Sequence, residues 1–88
     1  MENPVYNVTT ISEDEVRGDT ENVSIICKRQ KSKDVLVSII RRKTNETVYS
    51  VTVPYDVYKG FSLEKVYAAV LETLKTIIMV INNNDRSR

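Results

Sequence analysis

The chain has 88 residues, 41% of them apolar, and a net charge of +1, which describes one small folded domain with a limited core. No stretch of about 18 residues is free of charge, so the composition speaks against a membrane span. Histidine is absent, cysteine occurs once and glycine twice. That removes the commonest general base, a zinc-ligand set and a phosphate-cradling glycine loop, and leaves catalysis without a recognisable constellation.

Residues 1–11 carry Val5, Tyr6, Val8 and Ile11 between Thr and Asn, a pattern for a short strand or an arm. The Met1-Glu2-Asn3-Pro4 start has no basic group and no apolar run, so no secretory signal is read. With the lone Cys27, this places the expected setting inside the cell, where thiols stay reduced. Residues 12–21 are polar and acidic and contain Gly18. They read as a mobile loop. Residues 1–21 are therefore taken together as an N-terminal arm and acidic loop. Glu13-Asp14-Glu15 reads as a solvated acidic run, and neither a metal nor a cofactor is expected.

From Asn22 the pattern turns to short β-rich runs, and residues 22–82 are taken as one β-plus-helix domain. Residues 23–29, 35–42 and 47–53 each read as a strand, separated by the polar turns 31–34 and 43–46. Four-residue connections between consecutive strands imply an antiparallel meander. The central residues of the first two strands are apolar on both parities, so both sheet faces are expected to be covered near the middle. Cys27 is expected to be core filler. Pro54 lacks an amide donor and should end the pairing. Gly60 should supply a backbone conformation that a Cβ resists.

Residues 62–81 form the one long helical pattern. Val66, Val70, Leu74, Ile77, Ile78 and Ile81 recur at spacings of three and four, with Leu63, Tyr67 and Leu71 in a second row. Ser62 is placed to cap the first turn, with Phe61 and Val66 positioned as a hydrophobic staple. Asn82-Asn83-Asn84 reads as the stop, and residues 83–88 as a polar tail. The apolar stripe is wider than one small sheet needs. Val66, Val70, Leu74, Ile77, Ile78 and Ile81 are therefore the expected contacts of a homodimer. The fold class is α+β: an antiparallel meander of three to four strands followed by one long C-terminal helix.

Charge carries the main functional signal. Residues 1–27 sum to −5, residues 28–43 to +6, and residues 44–88 to zero. Lys28, Arg29, Lys31 and Lys33 close one strand and fill its turn, while Arg41, Arg42 and Lys43 close the next. In an antiparallel hairpin these groups fall at opposite ends, roughly 20–25 Å apart at about 3.3 Å per strand residue. An extended single-stranded nucleic acid crossing the sheet would meet cations at both ends, with Tyr49, Tyr55 and Tyr58 available for base stacking. The same residues also read as solubilising strand ends, or as the footprint of an acidic protein partner.

With the basic meander and Lys59-Gly60-Phe61-Ser62-Leu63 both in view, the chain resembles the transcriptional coactivator family known as positive cofactor four. The resemblance runs over about residues 22–80 and rests on the layout, on that five-residue stretch, and on the apolar strand Val35–Arg41 with its basic end. It implies a homodimer joined partly through its helices, binding single-stranded DNA or melted duplex with little sequence preference, in transcription or in protecting single strands. Carried over by position, Lys28, Arg29, Lys31 and Lys33 match the family's basic strand and turn. Arg41 matches the basic end of the central strand, and Lys59 the basic residue before the glycine. Where the family commonly has an aromatic after that basic end, this chain has Arg42 and Lys43, and the stacking role passes to Tyr49. The acidic N-terminal segment has no counterpart there. It is expected to lie over the basic groove and weaken binding until displaced. The function expected is single-stranded nucleic-acid binding, DNA favoured. The alternative is a small dimeric protein–protein interaction module that binds no nucleic acid. An enzyme is not expected.

Overall fold

The computed structural model describes residues 7–86. In chain order it has β1 (Asn7–Ser12), β2 (Glu15–Asp19), β3 (Val23–Arg29), β4 (Val35–Arg41), β5 (Glu46–Val53), the single turn α1 (Tyr55–Tyr58) and the long α2 (Leu63–Arg86). The strands form one antiparallel sheet in the order β1-β2-β3-β4-β5. This is the α+β meander with a C-terminal helix that the residue pattern implies, with five strands rather than three to four. Val5 and Tyr6, read as part of a strand or arm, lie outside the described residues, as do Ser87 and Arg88 of the expected tail.

The extra strand arises where a mobile acidic loop was expected. Glu15–Asp19 pairs with β1 on one side and β3 on the other. Its alternation is hard to see because only Val16 supplies an apolar side chain to the inner face. The next inner position is Gly18, and a Cβ there would sit 1.7 Å from the Tyr67 hydroxyl oxygen. The absent side chain is thus replaced by a ring from α2. The outer residues are charged but neutralise one another. Arg17 Nε reaches Asp19 Oδ1 at 3.0 Å, and Ser24 Oγ donates to the same oxygen at 2.5 Å. These bonds, the one from Ser24 first, hold the Asp19 carboxyl below its ordinary range. β1 and β2 therefore extend the sheet sideways, and residues 7–19 form no separate arm.

α2 packs on one face of the sheet, closest to β2 and β3. Val23, Ile25 and Cys27 of β3 and Val35, Val37 and Ile39 of β4 face it and are fully buried. From α2 the core takes Leu63, Val66, Tyr67, Leu74 and Ile78. Burial pushes the Cys27 thiol up to about 12, as expected for a small core residue. The opposite sheet face carries Ile26, Leu36 and Ile40, each half-buried. The doubled apolar parity asks for a cover from the N-terminal segment or from a partner chain; residues 7–19 do not supply it, because they lie in the sheet plane.

The local stop and start signals behave as their chemistry requires, with one exception. β5 ends at Val53, before Pro54. Gly60 takes φ +92°, open to glycine at little cost. The Lys65 amide donates to Ser62 Oγ at 3.3 Å, a first-turn cap. The exception is Asn82-Asn83-Asn84, which does not end α2. Asn82 is buried, and its Oδ1 accepts from Thr20 Oγ1 at 3.3 Å and from the Asn22 amide at 3.1 Å. With its polar group used on the β2–β3 turn, Asn82 does not compete for its own helix backbone, and the helix continues to Arg86.

Candidate functional site

The register separates the two basic groups as expected. Lys28 and Arg29 sit opposite Leu36 and Val35 at one end of the β3–β4 hairpin, and Arg41 sits opposite Val23 at the other. What the structure does not form is a single basic sheet surface. Lys28 is exposed on the face away from α2. Arg29, opposite the inward Val35, points to the α2 side. There its Nε donates to the Tyr58 hydroxyl at 3.3 Å and its Nη1 pairs with Asp14 Oδ1 at 3.1 Å. These partners, Tyr58 first, raise the pKa of the guanidinium. Arg41 is paired with Glu46 at 3.6 Å. Arg42 Nη1 donates to the Thr20 carbonyl at 2.7 Å, stapling the β2–β3 turn. Lys43 is exposed in the β4–β5 turn.

Tyr49 also lies away from where a crossing strand would need it. It stands opposite the inward Ile39, on the α2 side. The outer face between the two basic ends presents Ile26, Leu36, Ser38 and Ile40, with no aromatic ring among them. The acidic segment is not a displaceable cover either, since Asp14 leads into the paired strand β2 and is itself bonded to Arg29.

Cations and rings do meet at one place, the end of the sheet where the β3–β4 turn touches α1. Lys33, held at φ 76°, places its Nζ 5.4 Å from the Tyr55 ring centroid. Tyr55 stacks edge-on against Tyr58 at 5.4 Å, and the Tyr58 hydroxyl donates to the Lys33 carbonyl. Asp34 Oδ1 accepts the Tyr55 amide at 2.9 Å, tying α1 to the turn. Further along, Lys65 Nζ lies 5.4 Å from the centroid of Phe61, itself 51% exposed. Lys31 and Lys59 are exposed on the same stretch. Phe61 and Lys65 were not singled out from the sequence, where Phe61 carried only the staple role.

An apolar trough of about 550 Å³ lies between α2 and the edge strand β5. Its floor is Tyr49, Val51 and Val53. α1 and the residues after it close one end with Val57, Tyr58 and Phe61. α2 forms the wall with Val66, Ala69, Val70, Thr73 and Leu74, and Lys65 is the one charged residue in the lining. Tyr49 and Val51 are each 37% exposed, although their neighbours on β4 are sealed. The expected dimer contacts divide accordingly. Val66, Leu74 and Ile78 are consumed by the chain's own core, while Val70, Ile77 and Ile81 are only half-buried beside it. The clean alternation of β5 marks Val51 and Val53 as inward. Nothing in it tells that β5 is the edge that α2 leaves uncovered.

By length and composition alone, Leu63–Asn84 is long and apolar enough to cross a membrane, with a mean hydropathy of 1.2. In the fold one side of that helix packs on the sheet, and 28% of the stretch is buried. Among the described residues no cluster of three His, Cys, Asp or Glu is placed to hold a metal ion. No family model, curated protein or solved structure matches this chain.

Proposed function

We propose that this protein is a small protein–protein interaction module whose working surface is the trough between α2 and β5. The single observation behind this reading is the exposed apolar lining, with Val57 69%, Phe61 51% and Val51 37% accessible around one concave surface. Contiguous apolar concavities on small domains mark binding surfaces. An amphipathic helix is the partner shape that suits a groove walled by a helix and floored by a strand.

The test places a polarity-sensitive fluorophore at Val51→Cys; Cys27, buried with a raised pKa, stays unlabelled. Adding a model amphipathic helical peptide, or raising the protein concentration, should shift the emission to the blue. Water-like emission under both conditions overturns the reading.

A second reading keeps the single-stranded nucleic acid of the positive-cofactor-four resemblance but moves its contact to the α1 end of the sheet. The Lys33–Tyr55 and Lys65–Phe61 pairs favour it, because exposed rings beside cations suit base stacking next to phosphate contact. Lys28, Lys31 and Lys59 supply the surrounding charge. A labelled single-stranded oligonucleotide should then bind at low salt, weaken steeply as salt rises, and lose at least tenfold in affinity in Lys31→Ala/Lys33→Ala/Lys59→Ala. Absence of binding at low salt, or an unaffected triple variant, removes this reading.

A further inference from the structure

We infer that the trough holds a free long-chain fatty acid, its chain laid between α2 and β5 and its carboxylate on Lys65. The inference goes beyond the interaction-module reading and shares with it only the surface.

The lining suits a hydrocarbon chain. Val51 and Val53 lie on one side, Val70 and Leu74 on the other, and Phe61 at one end. The volume of about 550 Å³ falls within the roughly 300–1,000 Å³ typical of small-molecule sites. Two of the hydroxyls in the lining are already spent inside the chain. Thr73 Oγ1 donates to the Ala69 carbonyl at 3.2 Å, and the Tyr58 hydroxyl donates to the Lys33 carbonyl and accepts from Arg29. Such a surface lets an acyl chain leave water and offers little to a ligand that is polar along its length.

Charge fixes the head group and its place. Lys65 is the one charged residue in the lining. It is exposed and makes no ion pair among the described residues. Its Nζ stands 5.4 Å from the Phe61 ring centroid, at the α1 end of the trough. Asp56, Glu64 and Glu72 are absent from the lining, and Glu64 instead accepts from Thr10 Oγ1 at 3.3 Å. The positive end of the α2 dipole adds to the attraction for an anion there. A carboxylate is thus drawn to one end only, with an uncharged channel leading away from it. One channel and one cation match a single chain with one anionic head. A phospholipid would leave its second chain in water.

Isothermal titration calorimetry of the full chain at neutral pH tests this with octanoate, decanoate and dodecanoate, each kept below its micelle concentration. The expected result is one site per chain that tightens about tenfold for every two methylenes added. Decylamine, with the same chain length and the opposite charge, should bind at least tenfold more weakly than decanoate. Lys65→Glu should weaken decanoate at least tenfold and strengthen decylamine. Ala69→Trp, which fills the trough from α2, should abolish binding. Ala68→Trp, outside the lining, should leave it unchanged, and circular dichroism checks that the variants remain folded. Absence of binding by all three acids overturns the inference, as does decanoate binding indifferent to Lys65→Glu. Binding to vesicles of anionic phospholipid without binding to the free acids also overturns it, because the occupant would then be a bilayer. The Val51→Cys fluorophore keeps the two readings apart. A response to the model helical peptide with no acid bound sinks the fatty acid and leaves the interaction surface standing. Acid binding with no response to the peptide does the reverse.

Discussion

β4 and β5 are neighbours in the same sheet, and their inward side chains have opposite fates. Val35, Val37 and Ile39 of β4 are fully buried, while their direct partners Val53, Val51 and Tyr49 on β5 keep part of their surface in water. The residue types are similar and the alternation is equally regular. The difference is lateral position. One helix shelters a strip of sheet about 10 Å wide, and strands are spaced about 4.8 Å apart; α2 packs closest on β2 and β3, so its cover runs out before β5. Burial is concentrated in the sealed strip, and the proposed binding surface lies on the strand just outside it.

Paired truncations give the largest test of this comparison. Ile25→Ala, under α2, should cost about 3–4 kcal/mol in urea unfolding, the range for a fully buried aliphatic residue. Val51→Ala, on the trough floor, should cost under about 1 kcal/mol because a third of its surface already meets water. Equal costs would mean that the trough is closed in the isolated chain.

The next effect concerns how closely α2 approaches the strands it covers. Gly18→Ala puts a methyl group into the space of the Tyr67 ring and should cost about 2–3 kcal/mol, typical of overpacking. In a Tyr67→Leu background the same change should cost much less. Additive losses would show that the two residues do not share that space.

The smallest effect is electrostatic and lies on the outer face. The Asp19 carboxyl is held below its ordinary value of 3.8, first by the Ser24 hydrogen bond. A depressed carboxyl stabilises the fold above its unfolded pKa, and the contribution is lost as pH falls through the folded one. Acid titration of stability should therefore be shallower below about pH 4 in Asp19→Asn than in the parent chain. Parallel curves would show that other carboxylates carry the acid sensitivity.

Much of this architecture was legible from local chemistry. The α2 period, the Ser62 cap, the Pro54 stop, Gly60 and the β3-β4-β5 meander each depend on near neighbours, and each occurs where its residues call for it. β2 was not legible. Half of its inner face is a glycine whose partner ring comes from residue 67, and its outer charges resemble those of a loop until Arg17, Asp19 and Ser24 are seen to satisfy one another. The run of Asn at 82–84 misled for a related reason, because Asn82 finds its partners at Thr20 and Asn22. The basic residues were read correctly as two groups at opposite ends of a hairpin. Their division between paired arginines and exposed lysines depends on contacts with Asp14, Glu46, Tyr58 and Thr20, most of them distant in sequence.

By itself the sequence determined the periods, turns and caps, and hence a meander followed by a helix, because those are set by torsional preferences and by side chains a few residues apart. Tertiary structure alone decided where that helix comes to rest, and so which apolar strand stays uncovered and which cations stay unpaired. Both outcomes depend on packing between segments some 20 to 60 residues apart, and no local pattern encodes that geometry.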